Sequence, residues 1–240
     1  MRLVRSLAFN ALFYLNTLVW LILALPTFLL PYRATVRVAQ TWGRVNLVLL
    51  RSVAGIAFEV RGREKIPRGA LLVASKHQSA LETFALMPLF DDPAYILKRE
   101  LQWIPVFGWL TIKARMVPVD RRAGARALTN LAERACAELA RGRQLIIFPE
   151  GTRRPVGAEP RYTRGIVHLY ATAGVPCLPI ALNTGLFWPR RSLGLRPGKA
   201  IAEVLDPIPP GLDRDAFFER LKDAIEIATA RLMAEGGAEA

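Results

Sequence analysis

The hydrophobic pattern divides the chain into two parts. Residues 7–30 carry no charged side chain, and as a single helix they would extend roughly 36 Å, enough to cross a hydrocarbon layer of about 30 Å. From Phe58 onward, short apolar runs alternate with stretches of helical periodicity. We therefore predict an N-terminal membrane-associated helical motif over residues 1–57 and an α/β domain over residues 58–240.

The path of the N-terminal segment has two readings. Basic residues flank the apolar run at both ends, so the charge rule for membrane orientation gives no strong bias. Asn10, Asn16 and Pro26 interrupt the run, so a helical hairpin dipping into one leaflet is the alternative to a spanning helix. A cleaved signal peptide is not favoured, because the run is too long and no small-residue cleavage site follows it.

Four arginines follow the apolar run at helical spacing. Arg33, Arg37, Arg44 and Arg51 are four or seven residues apart, which places them on one face of a helix. Such a helix can lie in the membrane interface with its arginines against phosphate headgroups. A helix packed on the core of the domain is the alternative.

Seven apolar runs predict strands and four periodic stretches predict further helices. The predicted strands are 58–61, 71–75, 94–97, 115–119, 144–148, 177–182 and 201–205. The predicted helices are 79–89, 123–140, 164–173 and 213–233. This alternation predicts a mainly parallel or mixed sheet covered by helices, with functional groups gathered at the strand ends.

Composition narrows the class of partner. The chain is 52% hydrophobic yet has 33 Lys and Arg against 20 Asp and Glu, a net charge of +13. An excess of this kind suits the phosphates of nucleic acids or anionic lipids. The arginines are scattered and no zinc array, basic zipper or aromatic RNA-binding signature is present, so a membrane surface is favoured and nucleic acid is not expected. Cys136 and Cys177 lack metal-ligand spacing and are expected to be core residues, and we expect no metal.

The strongest candidate for chemistry is His77, which directly follows an apolar strand and precedes a helix. A histidine there can act as a general base, and Glu82, five positions on, can orient its ring. Ser79 and Glu82 also fit a capping box, in which Glu82 only caps the helix. The sequence leaves both roles of Glu82 open. His168, inside the apolar run 166–169, is expected to be a packed helix residue.

A second polar cluster follows the strand predicted at 144–148. It supplies a tight turn, a carboxylate, a hydroxyl and two guanidiniums in the string Phe148-Pro149-Glu150-Gly151-Thr152-Arg153-Arg154. Arginine binds phosphate bidentately, whereas a carboxylate suits a glycerol hydroxyl. A solvated surface turn is the alternative. With no glycine-flanked serine and no activated cysteine, direct transfer of an acyl group is favoured over a covalent intermediate.

These motifs resemble four blocks of the glycerolipid acyltransferase family, in particular its bacterial 1-acylglycerol-3-phosphate acyltransferases. The resemblance covers roughly residues 58–209. The blocks stand in family order as His77 with Glu82, then Val117-Pro118-Val119-Asp120-Arg121, the string from Phe148 to Arg153, and Val175-Pro176-Cys177-Leu178-Pro179-Ile180.

The resemblance implies roles for individual residues. His77 would be the base on the acceptor hydroxyl, and Glu82 would orient it in place of the family's usual aspartate. The residues implied in binding glycerol phosphate are Arg121, Glu150, Gly151, Thr152, Arg153 and Arg164. Pro176 and Pro179 bracket a strand that would shape the acyl site, with an ordinary buried strand as the alternative.

The implied activity is transfer of a fatty acyl group from acyl-CoA or acyl carrier protein to the sn-2 hydroxyl of lysophosphatidate, giving phosphatidate. It requires no cofactor beyond the acyl thioester. The implied location is the inner membrane, with the catalytic domain facing the cytoplasm. Two alternatives are transfer to another acceptor, such as glycerol 3-phosphate, another lysophospholipid or a lyso-ornithine lipid, and a noncatalytic membrane-binding protein.

Overall fold

The computed structural model describes residues 2–120 and 124–238, and its centre is a seven-stranded sheet. Neighbouring strands follow the order β1-β7-β6-β2-β5-β3-β4. The strands are β1 (Ile56–Arg61), β2 (Leu71–Ser75), β3 (Pro93–Lys98), β4 (Val117–Val119), β5 (Gln144–Ile147), β6 (Cys177–Leu182) and β7 (Gly198–Val204).

The sheet is mixed, as the alternating pattern predicted. From β6 to β4 all neighbouring strands are parallel, whereas β7 runs antiparallel to β6 and parallel to β1. The central strands β2, β5 and β6 are buried along their whole length, because helices cover both faces of a parallel sheet. The parallel strands therefore end at one common edge, which we call the carboxyl edge, and begin at the opposite amino edge.

Helices connect and cover the strands close to the predicted positions. Those in the second part of the chain are α3 (Leu81–Ala85), α4 (Phe107–Lys113), α5 (Gly124–Leu139), α6 (Gly165–Ala173), α7 (Thr184–Phe187) and α8 (Arg214–Ala238). The helix predicted at 79–89 is shorter than expected. After α3 the chain continues as a 3₁₀ turn at Met87–Leu89, because Pro88 has no N–H for an α-helical bond.

Only β2 and β6 have their predicted bounds, and the other five strands differ by one to three residues at one or both ends. β4 begins at Val117, two residues later than predicted, because Arg115 has a positive φ of 56° that no strand can contain. β7 begins at Gly198, earlier than predicted, since its first residues pair with β1. The local backbone at Arg115 thus sets the start of β4, whereas pairing with β1 sets the start of β7.

The N-terminal segment folds as a hairpin of two helices. Helix α1 (Arg2–Leu23) is followed by a 3₁₀ turn at Leu25–Leu29, which contains Pro26, and by α2 (Tyr32–Leu49). The helices are antiparallel, since Asn16 Nδ2 donates to Asn46 Oδ1 at 3.1 Å and Trp42 Nε1 donates to Thr17 Oγ1 at 3.2 Å. Two of the interruptions noted in the sequence therefore belong to the hairpin, with Pro26 in its turn and Asn16 in a contact between its helices.

The hairpin packs directly on the α/β domain. Phe9 is fully buried, with its ring edge-on to Trp188 at 5.3 Å, and Phe13 lies 5.6 Å from Phe84 of α3. A Cβ atom at Gly43 would lie 2.6 Å from the carbonyl oxygen of Phe84, so only glycine permits this approach of α2 to α3. The division of the chain near residue 57 stays a prediction.

The outer face of α1 is apolar and exposed over its length. Its exposed side chains, at helical spacing, are Leu3, Val4, Leu7, Leu15, Leu18, Ile22 and Leu23. The segment Arg2–Leu29 is the one helical stretch among the described residues that is long and apolar enough to cross a membrane. An exposed apolar face of this extent is typical of a helix that contacts a membrane.

A buried ion cluster closes the amino edge of the sheet. The guanidinium of Arg143, just before β5, is fully buried and uses all five of its N–H donors. It bonds the carboxylates of Asp92 and Glu138 and three backbone carbonyls. These carbonyls belong to Pro93 at the start of β3 and to Ala114 and Arg115 in the connection between α4 and β4, so Arg143 holds that edge together.

Candidate active site

The predicted chemistry lies at the carboxyl edge of the sheet. His77 follows the end of β2, the Phe148–Glu150 turn follows β5, and Thr184 follows β6. Lys76 N–H still continues the ladder by donating to the Ile180 carbonyl at 3.0 Å, so the backbone beside His77 is fixed by the sheet. Parallel strands ending together explain why segments distant in sequence meet here.

His77 and Glu82 are paired. The His77 Nδ1 atom lies 3.0 Å from Glu82 Oε1, and only 12% of the His77 side chain and none of the Glu82 side chain is exposed. Because the carboxylate accepts, Nδ1 carries the proton and Nε2, on the other side of the ring, has the free lone pair. No described residue bonds Nε2. The ring is therefore oriented with its basic nitrogen open.

Glu82 also caps its own helix. Its Oε1 atom accepts the backbone N–H groups of Gln78 and Ser79, each at 2.7 Å, while Leu81 N–H donates to Ser79 Oγ at 3.1 Å. The Glu82 half of the predicted capping box is therefore present, whereas Ser79 Oγ accepts the Leu81 N–H rather than the Glu82 N–H. The two roles left open by the sequence are therefore compatible in one geometry, because the same oxygen faces the helix start and the imidazole.

The second oxygen of Glu82 has a partner that the sequence did not indicate. Thr184 Oγ1 donates to Glu82 Oε2 at 2.8 Å, although the residues are 102 positions apart. Gln78 completes the link to the same segment, since its Oε1 accepts the Gly185 N–H at 3.1 Å. Four donors thus hold a fully buried carboxylate, which meets the need of a buried charge for several charge-assisted bonds.

Aromatic rings support the other side of the imidazole. Phe148 stacks on His77 with a centroid distance of 3.9 Å and an angle of 14° between the planes, and Tyr95 stacks behind Phe148 at 6.0 Å. Burial, followed by the nearby Glu82 charge, raises the pKa of the Tyr95 hydroxyl well above its usual value. This hydroxyl therefore stays neutral, and the stack fixes the ring plane.

Glu150 holds the backbone of His77. Its Oε2 accepts the His77 N–H at 2.9 Å, and its Oε1 accepts Lys76 Nζ at 3.0 Å. The side chain of Glu150 is fully buried, and burial raises its pKa although Lys76 acts in the opposite direction. Both oxygens are used inside the protein, so in this structure Glu150 does not face a ligand as the sequence analysis expected.

Lys76 extends this network to the C-terminal helix. Its Nζ lies 2.6 Å from Glu226 Oε1 on α8, and the Tyr162 hydroxyl donates to the same oxygen at 2.7 Å. Burial and the charge of Glu226 raise the pKa of Tyr162, so its hydroxyl remains a donor. The buried ammonium thus has two carboxylate partners, which ties α8 to the loop that carries His77.

The turn after β5 combines buried and exposed groups. Gly151 closes it with φ of 67°, in the left-handed region that favours glycine, and its N–H donates to the Phe148 carbonyl at 2.9 Å. Thr152 is exposed, and Arg153 has no ion pair or hydrogen bond with any described residue. Arg154 N–H instead donates to the His77 carbonyl at 2.8 Å. The turn thus clamps His77 and leaves one guanidinium open.

The remaining predicted site residues lie in different places. Arg121 lies outside the described residues. Arg164 pairs with Asp215 at 2.7 Å on the surface and stacks over Phe218. Pro179 is level with Ala74 of β2, whereas Pro176 precedes β6 and is level with Leu71. Pro176 is therefore at the amino edge, about 15 Å of strand from the His77 loop.

Sequence reasoning missed Lys76, Thr184 and Glu226. The sequence did offer an indication for Lys76, because a lysine between a buried strand and a candidate base needs a carboxylate partner. It offered no indication for Thr184 and Glu226, because only the fold brings these residues to this edge. Thr184 bonds Glu82, Lys76 bonds Glu150, and Glu226 bonds Lys76. The histidine is therefore held through carboxylates on both sides.

Other catalytic devices find no support in the described part of the chain. Burial raises the pKa of the Cys136 and Cys177 thiols, so neither is an activated nucleophile. His168 is half-buried on α6. No group of three His, Cys, Asp or Glu side chains in the described ranges has the arrangement of a metal site. Among the described residues, the feature of this edge that suits acid–base chemistry is a histidine paired with a carboxylate.

Comparisons with known proteins show which family the chain is similar to. The family model described as Acyltransferase matches residues 57–183. A 1-acyl-sn-glycerol-3-phosphate acyltransferase of Pseudomonas aeruginosa is 43% identical over 180 residues, which cover 75% of this chain and 70% of that protein. A Cocos nucifera protein of the same name is 30% identical over 80% of this chain and 63% of its own length.

The fold has a counterpart among solved structures. The crystal structure of the 1-acyl-sn-glycerophosphate (LPA) acyltransferase PlsC from Thermotoga maritima superposes with a TM-score of 0.81 at 25% identity. The superposition covers 98% of both chains, so it includes the N-terminal hairpin as well as the sheet. With the family model spanning more than half of its length and a relative at 43% identity, the chain belongs to the acyltransferase family.

Proposed function

We propose that the protein transfers a fatty acyl group from a thioester to the sn-2 hydroxyl of lysophosphatidate and so makes phosphatidate. The observation that carries this proposal is the His77–Glu82 pair at 3.0 Å with His77 Nε2 open. The names of the two relatives and of the solved structure support the choice of acceptor. Acyl-CoA and acyl carrier protein are the donors to be compared.

The reaction needs one displacement and two proton transfers, the first to His77 and the second from it. His77 Nε2 takes the proton of the acceptor hydroxyl while the hydroxyl oxygen attacks the thioester carbonyl. The carbon–sulfur bond then breaks, and the leaving thiolate takes up the proton that the imidazolium releases. Glu82, which holds Nδ1–H, stabilises the imidazolium between these steps, and base catalysis of this kind contributes about 100- to 10,000-fold.

The acceptor phosphate requires cations beside the base. Arg153 is the candidate whose guanidinium is not engaged by any described residue, and Thr152 beside it offers a hydroxyl. Arg121 and Arg164 are proposed as further contacts on the family pattern, and Glu150 is proposed to act by positioning His77. Pro179 is proposed to shape the acyl site from within β6, and the same proposal for Pro176 has less support because of its distance from His77.

A membrane location fits the substrates, since lysophosphatidate and phosphatidate are amphiphiles. We infer that α1 lies on one leaflet with its exposed apolar face in the lipid, because its opposite face is packed on α2, Phe84 and Trp188. The exposed arginines of α2 suit the phosphate level. The inner membrane and a cytoplasmic catalytic domain are the proposed location.

The test is thioester consumption by detergent-purified protein given lysophosphatidate and either acyl donor. We expect phosphatidate from the wild type, almost none from His77→Ala, and a clear loss of rate with retained folding for Glu82→Gln. The last variant keeps one oxygen acceptor for the helix cap but removes the carboxylate charge. If Glu82→Gln is fully active, Glu82 only caps.

Competition between acceptors tests the substrate. Lysophosphatidate is expected to be used faster than glycerol 3-phosphate, a lysophospholipid with a larger headgroup, or a lyso-ornithine lipid. Preference for one of these would keep the chemistry and replace the acceptor. A wild type that binds lipid but consumes no thioester with any acceptor would support the noncatalytic alternative instead.

A further inference from the structure

A second exposed apolar surface lies outside the N-terminal hairpin. The segment of residues 99–113, which contains a 3₁₀ turn and α4 and which we call the α4 segment, exposes five large apolar side chains. Trp103 is 67% exposed, Ile104 46%, Trp109 54%, Ile112 56% and Leu101 36%. Single exposed apolar side chains are ordinary, but five within one short segment indicate a surface that is covered in use.

This surface is continuous with the apolar face of the hairpin. Lys113 Nζ at the end of α4 donates to the Phe28 carbonyl at 3.1 Å, in the turn between α1 and α2. That turn exposes Phe28, Leu29 and Leu30. The outer face of α1, the turn and the α4 segment therefore form one apolar surface, and α2 contacts both of the helices that flank it.

The charges around the α4 segment identify its partner. Lys98, Arg99 and Lys113 are basic, whereas Glu100 is the acidic residue of the segment. Helix α2 adds the exposed Arg33, Arg37 and Arg44, and Arg51 is exposed just after its end. Tryptophan beside basic residues is typical of proteins at the headgroup level of a bilayer. The basic side chains around the segment suit anionic lipid headgroups.

We propose that the α4 segment is a second membrane-contacting surface that inserts into the same anionic leaflet as α1. The inference rests on the proposed membrane location of α1 and adds a contact from within the α/β domain. One helix lying on a bilayer leaves the protein free to rotate about the helix axis. A second contact removes this freedom and fixes the tilt of the domain.

The position of the segment gives this contact a consequence for the site. The α4 segment directly follows β3, and Arg99 pairs with Asp120, which follows β4, at 2.9 Å. The segment therefore begins at the carboxyl edge that carries His77. Insertion of Trp103 and Ile104 would hold this edge at the height where the headgroup and sn-2 hydroxyl of a lysolipid lie.

The test uses an environment-sensitive fluorophore on single cysteines in the full chain. Cys136→Ala removes the half-buried thiol, while Cys177 is buried and stays. Labelled Ile112→Cys is compared with Leu15→Cys on the apolar face of α1 and with Ile227→Cys on α8, where the isoleucine is 71% exposed and remote from the surface. Each protein is reconstituted into vesicles of anionic lipid with or without bromine on the acyl chains.

We expect the probes at positions 112 and 15 to shift to the blue and to be quenched by brominated lipid to a similar extent, with the probe at 227 unaffected. A probe at 112 that stays in water while the one at 15 is quenched would overturn the inference and leave α1 alone in the membrane. A blue shift at 112 without bromine quenching would also overturn it, because a second copy of the chain would then cover the surface.

A kinetic comparison separates this inference from the proposed function. The double variant Trp109→Gln/Ile112→Gln is expected to act normally on a short-chain, water-soluble acceptor and about tenfold more slowly on acceptor embedded in vesicles. Ile227→Gln is the control and should match wild type in both assays. Equal rates for the double variant on vesicles would contradict a role of the α4 segment, whereas inactivity of the wild type would count against the proposed reaction alone.

Discussion

The two edges of the sheet each contain a buried ion cluster, but the clusters differ in what they leave open. At the amino edge, Arg143 uses every N–H donor on two carboxylates and three carbonyls. At the carboxyl edge, Lys76, Glu150 and Glu82 are equally satisfied, yet they hold a histidine with one nitrogen unbonded by any described residue. Burial of charged groups alone therefore does not indicate a functional site. The carboxyl edge differs because it holds a histidine ring in place and leaves one ring nitrogen without a hydrogen-bond partner among the described residues.

The largest effect that the comparison predicts is on activity at the carboxyl edge. Replacement of His77 by Ala should lower kcat for acyl transfer about 100- to 10,000-fold, because no other described group can take the acceptor proton. The free energy of unfolding should fall by less than for loss of Arg143, because the variant loses the stack on Phe148 and one hydrogen bond but leaves Glu82 with three donors. If the variant loses activity because it no longer folds, His77 would have a structural role, and the carboxyl edge would not differ from the amino edge in this respect.

The corresponding effect at the amino edge should be on stability. Arg143→Met leaves Asp92 and Glu138 without their main partner, so the free energy of unfolding should fall by about 3–5 kcal/mol. Chemical denaturation measures this value. Arg141→Met is the matched control, because its half-exposed side chain lies 3.6 Å from the same Glu138 and should contribute less than about 1 kcal/mol. Similar losses for both variants would contradict the closed cluster.

Two arginines proposed to contact the acceptor phosphate differ in whether other side chains of the protein already engage the guanidinium. Arg153→Ala should raise KM for lysophosphatidate about 10- to 100-fold, since a charged hydrogen bond contributes about 1.5–3 kcal/mol. Arg164→Ala should have a smaller effect, because Asp215 and the Phe218 ring already engage that guanidinium. Steady-state kinetics at saturating thioester measure both. The reverse order would make Arg164 the phosphate contact.

The smallest effect concerns the bond from Thr184 to Glu82. Thr184→Val keeps the shape but removes the donor, so kcat should fall about tenfold as the carboxylate loses one of its four bonds. Thr184→Ser should restore most of the rate. Thr229→Val is the control, because that buried hydroxyl has no hydrogen-bond partner in the described structure and should leave kcat unchanged. Equal rates for the Val and Ser variants at position 184 would remove Thr184 from the positioning set.

The pairing of His77 with Glu82 could be predicted because both residues belong to one strand-to-helix turn. They are five positions apart, so the local backbone brings them together whatever the rest of the fold does. The same reasoning predicted β2 and β6 at their observed bounds. The contact of Glu150 with the His77 backbone could not be predicted, since its partners are 73 positions apart, and the sequence suggested a ligand hydroxyl instead.

The α/β alternation, the apolar N-terminal segment and the turn that carries His77 follow from periodicity and from neighbours within one helical turn, so they could be read from the sequence. The order of the strands, the antiparallel β7 and the hairpin path of α1 and α2 could not. Nor could the contacts of Thr184 and Glu226, which are 102 and 150 positions from their partners. Local patterns specify only which face of each element is to be buried, whereas burial selects the contacts of that face from the whole chain.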